Sequence, residues 1–128
     1  MADRPAGRLF NESHWSNPDR AEVMSNYNIS KTLAEKAAWD FVAALPEDQK
    51  FELVVINPSF VMGPPLRKES FTSGEFLAKV IEGRMPQVTG DHLCAVDVRD
   101  VGFAHLQAIK VTEAANRRFI LSHFTPSF

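Results

Sequence analysis

Residues 51–56, Phe-Glu-Leu-Val-Val-Ile, form an almost unbroken apolar and β-branched run that halts at Asn57-Pro58. A run that short, with no polar alternation, is predicted to be a strand buried on both faces, as in a parallel sheet. Neighbouring parallel strands need crossover connections, and helices supply them. The flanking sequence has the matching pattern. Leu33, Ala34, Ala37, Ala38, Phe41, Val42 and Leu45 recur at three and four, which marks one apolar helix face, and Pro46 ends the pattern. The helix is expected from Asp19 or Ala21 to Leu45. Before it, residues 1–20 are polar and irregular, with Pro5, Gly7 and Pro18 as breakers and aromatic anchors in the stretch from Phe10 to Ser16. A long helix feeding an apolar strand is an α-then-β unit, so the fold class is α/β.

Downstream, Ser59–Ser70 reads as a loop at the carboxyl end of that strand, where open α/β sheets bind ligands. Thr72-x-x-Glu75 has the capping-box pattern, and Phe76, Leu77, Val80 and Ile81 form the stripe of a helix ending at Gly83. A turn is expected at Thr89-Gly90-Asp91, then a short apolar run from Leu93 to Val96. A further helix is expected from Asp100, as N-cap, to Lys110, burying Val101, Ala104, Leu106, Ala108 and Ile109. Phe119-Ile120-Leu121 reads as a last strand, spanning about 118–122.

Length sets the domain count at one for 128 residues. A formal charge of −2 gives no electrostatic case for nucleic acid or an anionic membrane. The N-terminal stretch lacks a signal-peptide core, and no stretch approaches the roughly 18 apolar residues of a membrane span. The single cysteine, Cys94, rules out an internal disulfide and suits a reducing, cytoplasmic setting; its apolar surroundings suggest a structural thiol. His14, His92, His105 and His123 are widely separated, and His92-x-Cys94 lacks further ligands at usable spacing, so no zinc site is expected.

One pair carries candidate chemistry. Tyr27 is the only tyrosine, and Lys31 follows it by four residues, on the same helix side. A cation beside a phenol favours the phenolate, and a phenol so tuned can give a proton to a carbonyl oxygen or take one from an alcohol. The plainer reading is a buried tyrosine beside a solvated lysine.

Three segments resemble blocks of the extended short-chain dehydrogenase/reductases: Tyr27–Lys31 (YxxxK), Ile56–Pro64 (INPxxVxGP) and Val96–His105 (VDVRDVxxAH). The resemblance is to the dihydroflavonol reductase and cinnamoyl-CoA reductase branch, with its methylglyoxal reductase-like relatives. Phe10-Asn11-Glu12 with Trp15-Ser16, and Ala34–Trp39, are also similar to that branch. The resemblance covers roughly residues 10–122. It implies an NAD(P)H-dependent oxidoreductase acting on CH–OH and C=O groups, with NADP as cofactor (NAD being possible) and a small-molecule carbonyl or alcohol as substrate. Tyr27 would be the general acid, and Lys31 would tune it and hold the nicotinamide ribose. Pro58 and Val61 match positions that contact the nicotinamide, and Ser73 another cofactor contact. Each has a structural alternative: Pro58 as a strand stop, Val61 as a core residue, Ser73 as part of a helix N-terminus. Asp97 and Asp100 fit a strand-to-helix turn and a cap better than catalysis.

The chain also departs from the family. Its six glycines are too far apart for a phosphate-cradling turn, and no G-x-G-x-x-G follows a strand. The expectation is therefore a single partial domain over 1–128, the C-terminal half of such an enzyme. It would be a partial NAD(P)-binding Rossmann fold without its nucleotide-binding half, plus part of the smaller substrate-binding region, and inactive in isolation. The alternatives are a sugar-nucleotide epimerase or dehydratase, or a steroid dehydrogenase, of the same superfamily, and a non-catalytic binding remnant.

Overall fold

A computed structural model describes residues 9–66, 72–85 and 93–123. The turn expected at Thr89-Gly90-Asp91 and the Thr72 side chain of the expected capping box lie outside the described residues. Helix α1 spans Asn26–Ala44, strand β1 Val54–Pro58 and strand β2 Phe60–Met62. Helix α2 spans Thr72–Ile81, strand β3 Ala95–Asp97, helix α3 Val98–Lys110 and strand β4 Arg117–Leu121. Two short 3₁₀ turns, Glu47–Gln49 and Thr112–Ala114, follow α1 and α3.

The chain divides into two compact units, Met1–Val55 with Ala115–Phe119, and Ile56–Ala114 with Ile120–Phe128. In the first, the expected start of α1 moves. Asn17 receives the Asp19 N–H on its side chain and the Arg20 N–H on its carbonyl, and the Arg20 carbonyl then takes both Val23 and Met24 N–H groups. Those closures hold residues 17–24 in turns, so the helix begins only after Ser25, whose hydroxyl accepts the Asn28 N–H at 3.2 Å. The covered side of α1 matches the apolar stripe only in part, at Ala38, Val42 and Leu45. Glu35, Lys36, Trp39 and Val42 are half-buried, whereas Leu33 and Phe41 are 50% and 61% exposed. Asn116, in the left-handed region at φ 56°, turns the chain into β4, and its side chain accepts the Leu53 N–H.

In the second unit, β2 and β3 are parallel, with Phe60 opposite Ala95, Val61 opposite Val96 and Met62 opposite Asp97. Strands β1 and β4 form the other pair. The Ser59 N–H bonds the Leu121 carbonyl and the His123 N–H the Ala95 carbonyl, so the end of β4 is tied to both strand pairs. Phe76 of α2 packs edge-on against Phe60, ring centroids 5.3 Å apart. Helix α2 closes as expected at Gly83: at φ 66° its N–H reaches the Val80 carbonyl while the Arg84 N–H reaches that of Lys79.

Several local expectations are corrected. Strand β1 begins at Val54 rather than Phe51 and runs through Asn57 to Pro58, and its first four residues are half-buried rather than covered on both faces. Asp97, not Asp100, caps α3: its carboxylate accepts the Arg99 N–H, which starts the helix three residues early. Leu106 and Ile109 of that helix, and Ile81 of α2, are exposed rather than buried. Cys94 is exposed too, because it precedes β3 and only Ala95 and Val96 enter the covered layer. The described residues are nonetheless α/β, as expected, with parallel pairing between β2 and β3.

Candidate active site

The first two turns of α1 carry the Tyr27–Lys31 pair. The Ser25 cap fixes the start of the helix, which makes Tyr27 its second residue and places Lys31 one turn on. The Lys31 ammonium stands 5.5 Å from the centre of the Tyr27 ring. Tyr27 is 67% exposed and Lys31 is exposed, so the tyrosine is not the buried residue of the plainer reading. Among the described residues Lys31 makes no ion pair.

The same helix side continues at a spacing of four to Glu35 and Trp39. Glu35 is held in a two-pronged pair by Arg118 of β4, with Nε to Oε1 at 2.7 Å and Nη2 to Oε2 at 2.8 Å. The side chains are 16% (Arg118) and 9% (Glu35) exposed. The remaining guanidinium nitrogen donates to the carbonyls of Glu12 and His14 at 2.8 and 3.1 Å. Its plane covers the Trp15 ring at 3.9 Å, and Lys36 approaches the same ring at 5.8 Å. Trp39 Nε1 adds a donor to Glu35 Oε1. One guanidinium thus clasps the loop that leads toward α1, the helix itself and β4. No local pattern marks this group, because Arg118 and Glu35 lie 83 residues apart.

In the other unit, Pro58 is the exposed last residue of β1, Val61 is half-buried in the middle of β2 opposite Val96, and Ser73 is the half-buried second residue of α2. The structure thus puts Pro58 and Val61 on successive strands and Ser73 at a helix start. Between Pro58 and Val61, the Ser59 hydroxyl is buried without a hydrogen-bond partner among the described residues. Sequence reading did not single it out. Gly63, at φ 139°, ends the strand turn; a Cβ there would stand 2.7 Å from Val98 Cγ1. Asp97 is a structural group, as expected. Arg99 Nε and Nη2 grip its two oxygens at 2.8 and 2.6 Å, and that grip, with the Arg99 N–H, holds its carboxyl down to about 2. No group of three or more histidine, cysteine, aspartate or glutamate side chains able to hold a metal ion occurs among the described residues. No helix of the described residues is long and apolar enough to cross a membrane.

In the first unit, the exposed phenol and an ammonium without an ion pair among the described residues can each meet hydroxyl groups; in the second, the buried Ser59 hydroxyl has no partner among the described residues.

No protein-family model matches the chain. It is 35% identical over 127 residues to the NADPH-dependent methylglyoxal reductase GRE2 of Saccharomyces cerevisiae, covering 88% of this chain and 36% of the relative. It is 32% identical over 116 residues to cinnamoyl-CoA reductase 1 of Petunia hybrida, covering 90% and 34%. A crystal structure of Gre2 from Candida albicans in complex with NADPH matches with a TM-score of 0.67 and 35% identity, over 79% of this chain and 31% of that one. The chain therefore spans about a third of the length of the curated relatives it matches. The α/β arrangement is that of part of the Rossmann fold of these reductases. With sequence and fold in agreement, this chain belongs to the extended short-chain dehydrogenase/reductase family, among the relatives of the methylglyoxal and cinnamoyl-CoA reductases.

Proposed function

We propose that these residues belong to a cytoplasmic reductase that converts a small ketone or aldehyde to the alcohol with NADPH, NAD being the second candidate. The observation that carries the reading is the Tyr27–Lys31 pair, exposed on the first turns of α1 with the ammonium 5.5 Å from the ring, in a chain homologous to NADPH-dependent reductases. When bound, the dinucleotide supplies the hydride. Tyr27 Oη donates its proton to the substrate oxygen as the carbonyl carbon becomes tetrahedral, so the product is the neutral alcohol. Lys31 places positive charge beside that phenol and holds the ribose hydroxyls. Pro58 and Val61 would hold the nicotinamide, and Ser73 would contribute from the start of α2. In this reading the 128 residues are one partial domain and are inactive alone, since they contain no glycine-rich turn to cradle the phosphates.

The test is carbonyl-dependent NADPH oxidation by the reductase that carries these residues. Tyr27→Phe keeps the ring and removes the proton, so turnover should fall by about 10²- to 10⁴-fold. Turnover within a factor of about two of the parent, small beside that loss, refutes the assignment.

A further inference from the structure

On α1, Tyr27, Ser30, Ala34, Ala37, Phe41 and Ala44 recur at alternating spacings of three and four, the pattern that keeps side chains on one side of a helix. All of them are exposed and none is charged. Phe41 is 61% exposed, and Leu33, which flanks the stripe, is 50% exposed. The covered side of the helix holds charges instead, Glu35 with Arg118 and Lys36 by Trp15. Helix α1 thus packs charged side chains and turns an uncharged side outward along its whole length. A contiguous exposed stripe of this kind marks contact with another apolar surface. Anchors three and four residues apart suit a groove that receives a helix.

We propose that this stripe is the docking surface for the nucleotide-binding part of the reductase, which seats an apolar groove over Ala37 and its rim at Tyr27. The inference rests on the reading of the 128 residues as one partial domain of such an enzyme. Two observations favour this occupant. The chain covers 36% of the NADPH-dependent GRE2 relative and 34% of the cinnamoyl-CoA reductase, so the larger part of each lies outside the match. An NADPH-dependent enzyme that includes these residues has to cradle the phosphates with others, because these contain no glycine-rich turn. The stripe also begins at Tyr27, so a body laid along it arrives beside the phenol and the Lys31 ammonium 5.5 Å from its ring. A second copy of the chain would bring no phosphate-binding turn to that phenol.

The test is hydroxyl-radical footprinting read by peptide mass spectrometry, on the 128-residue chain and on a chimera in which it replaces the matched stretch of Saccharomyces cerevisiae GRE2. The same exchange into the Petunia hybrida cinnamoyl-CoA reductase is the second background. Oxidation of Leu33 and Phe41 should fall about fivefold or more from chain to chimera, as half-exposed side chains become buried ones, and should do so at every protein concentration. Ala37→Lys exchanges one good helix former for another, so the helical signal of the chain should stay within about a tenth of the parent. In the chimera the same charge meets the groove, and the urea midpoint should fall by about 1 M or more. Leu33 and Phe41 left open in a folded chimera, or a midpoint unmoved by Ala37→Lys, overturns the proposal. Failure of both chimeras to fold also counts against it, since the stripe then receives neither relative's remainder. Protection in the chain alone that grows with concentration, together with a dimer in sedimentation, overturns it in favour of a second copy. The footprint does not depend on turnover. A protected stripe in a folded chimera that reduces no carbonyl retires the catalytic assignment and keeps the docking surface, and turnover with an open stripe does the reverse.

Discussion

Replacing Arg118 with methionine is the most informative single perturbation of the first unit. The guanidinium makes two charge-assisted bonds to Glu35 and two to backbone carbonyls, and it stacks on Trp15. Its loss takes a two-pronged charge partner from a carboxylate that is only 9% exposed. Breaking such a pair from one side costs about 3–5 kcal/mol. The lower end applies, because Arg118 is itself 16% exposed and water can enter where its head lay. Methionine also recovers part of the stem's packing on Trp15. The expected loss is about 3 kcal/mol. At a denaturant dependence of about 1.5 kcal/mol/M, that is a urea midpoint lower by about 2 M. The chain's two tryptophans, Trp15 and Trp39, both touch this network, so intrinsic fluorescence reports its dissolution directly. Glu35→Gln keeps one acceptor but leaves the guanidinium without this counter-charge; because that head is the more exposed of the two and still bonds the Glu12 and His14 carbonyls, the cost should be about 1–2 kcal/mol. The double variant should be more stable than Arg118→Met alone, a non-additivity that belongs to a coupled pair. An Arg118→Met midpoint within about 0.3 M of the parent, or strict additivity, would show that the pair behaves as a solvated surface contact and refute the reasoning.

Three further outcomes are expected. Asp97 has a folded value of about 2 against 3.8 without its partners, mainly through the Arg99 side chain, so its contribution is complete above about pH 4 and fades as pH falls toward 2. Asp97→Asn retains a capping side chain but should flatten that part of the acid-unfolding curve followed by circular dichroism. Gly63→Ala places a methyl 2.7 Å from Val98 Cγ1 in a backbone region that favours glycine, and should lower stability by about 1–3 kcal/mol in urea titration. Ser25→Ala removes the acceptor for the Asn28 N–H and should cost about 1 kcal/mol, with loss of helical signal at the start of α1.

The elements that could be read from the amino-acid order are those determined by neighbours along the chain. The helices of α1, α2 and α3 follow from spacing, the Gly83 terminus from the freedom of glycine at positive φ, and the last strand from its apolar run. Some displacements are local, the later start of α1 and the Asp97 cap resting on bonds between near neighbours, while others depended on partners far away in sequence. Strand β1 slides toward Pro58 because the bonds at its carboxyl end, Ser59 to Leu121, come from the other terminus of the chain. Asp97 takes the cap from Asp100 because β3 delivers it directly to the first turn of α3. On α1 the apolar periodicity was right for Ala38, Val42 and Leu45, which are half-buried, but not for Leu33 and Phe41, and it missed Glu35, Lys36 and Trp39, which pack with Arg118 and Trp15. For the candidate site, Tyr27 and Lys31 were visible as a pair because four residues is one helical turn. Their neighbour Glu35 carried no signal, since its significance depends on a residue of β4 that no short-range pattern connects to it.

The β2–β3 ladder has a consequence for how the second unit opens. Ala95 and Val96 are 0% and 3% exposed, whereas every residue of β1 and β4 retains more solvent contact. Amide protons exchange with solvent when their local structure opens, and the most covered ladder opens last. In deuterated buffer the Ala95–Val96 segment should therefore keep its protons longest, with the Phe60 N–H that bonds the Cys94 carbonyl close behind. The β1–β4 ribbon, lying over no such covered pair, should exchange earlier. The slow-exchanging core of this unit is then a three-residue parallel ladder and the helix it feeds, with the Ser59 and His123 N–H bonds tying the end of β4 to it.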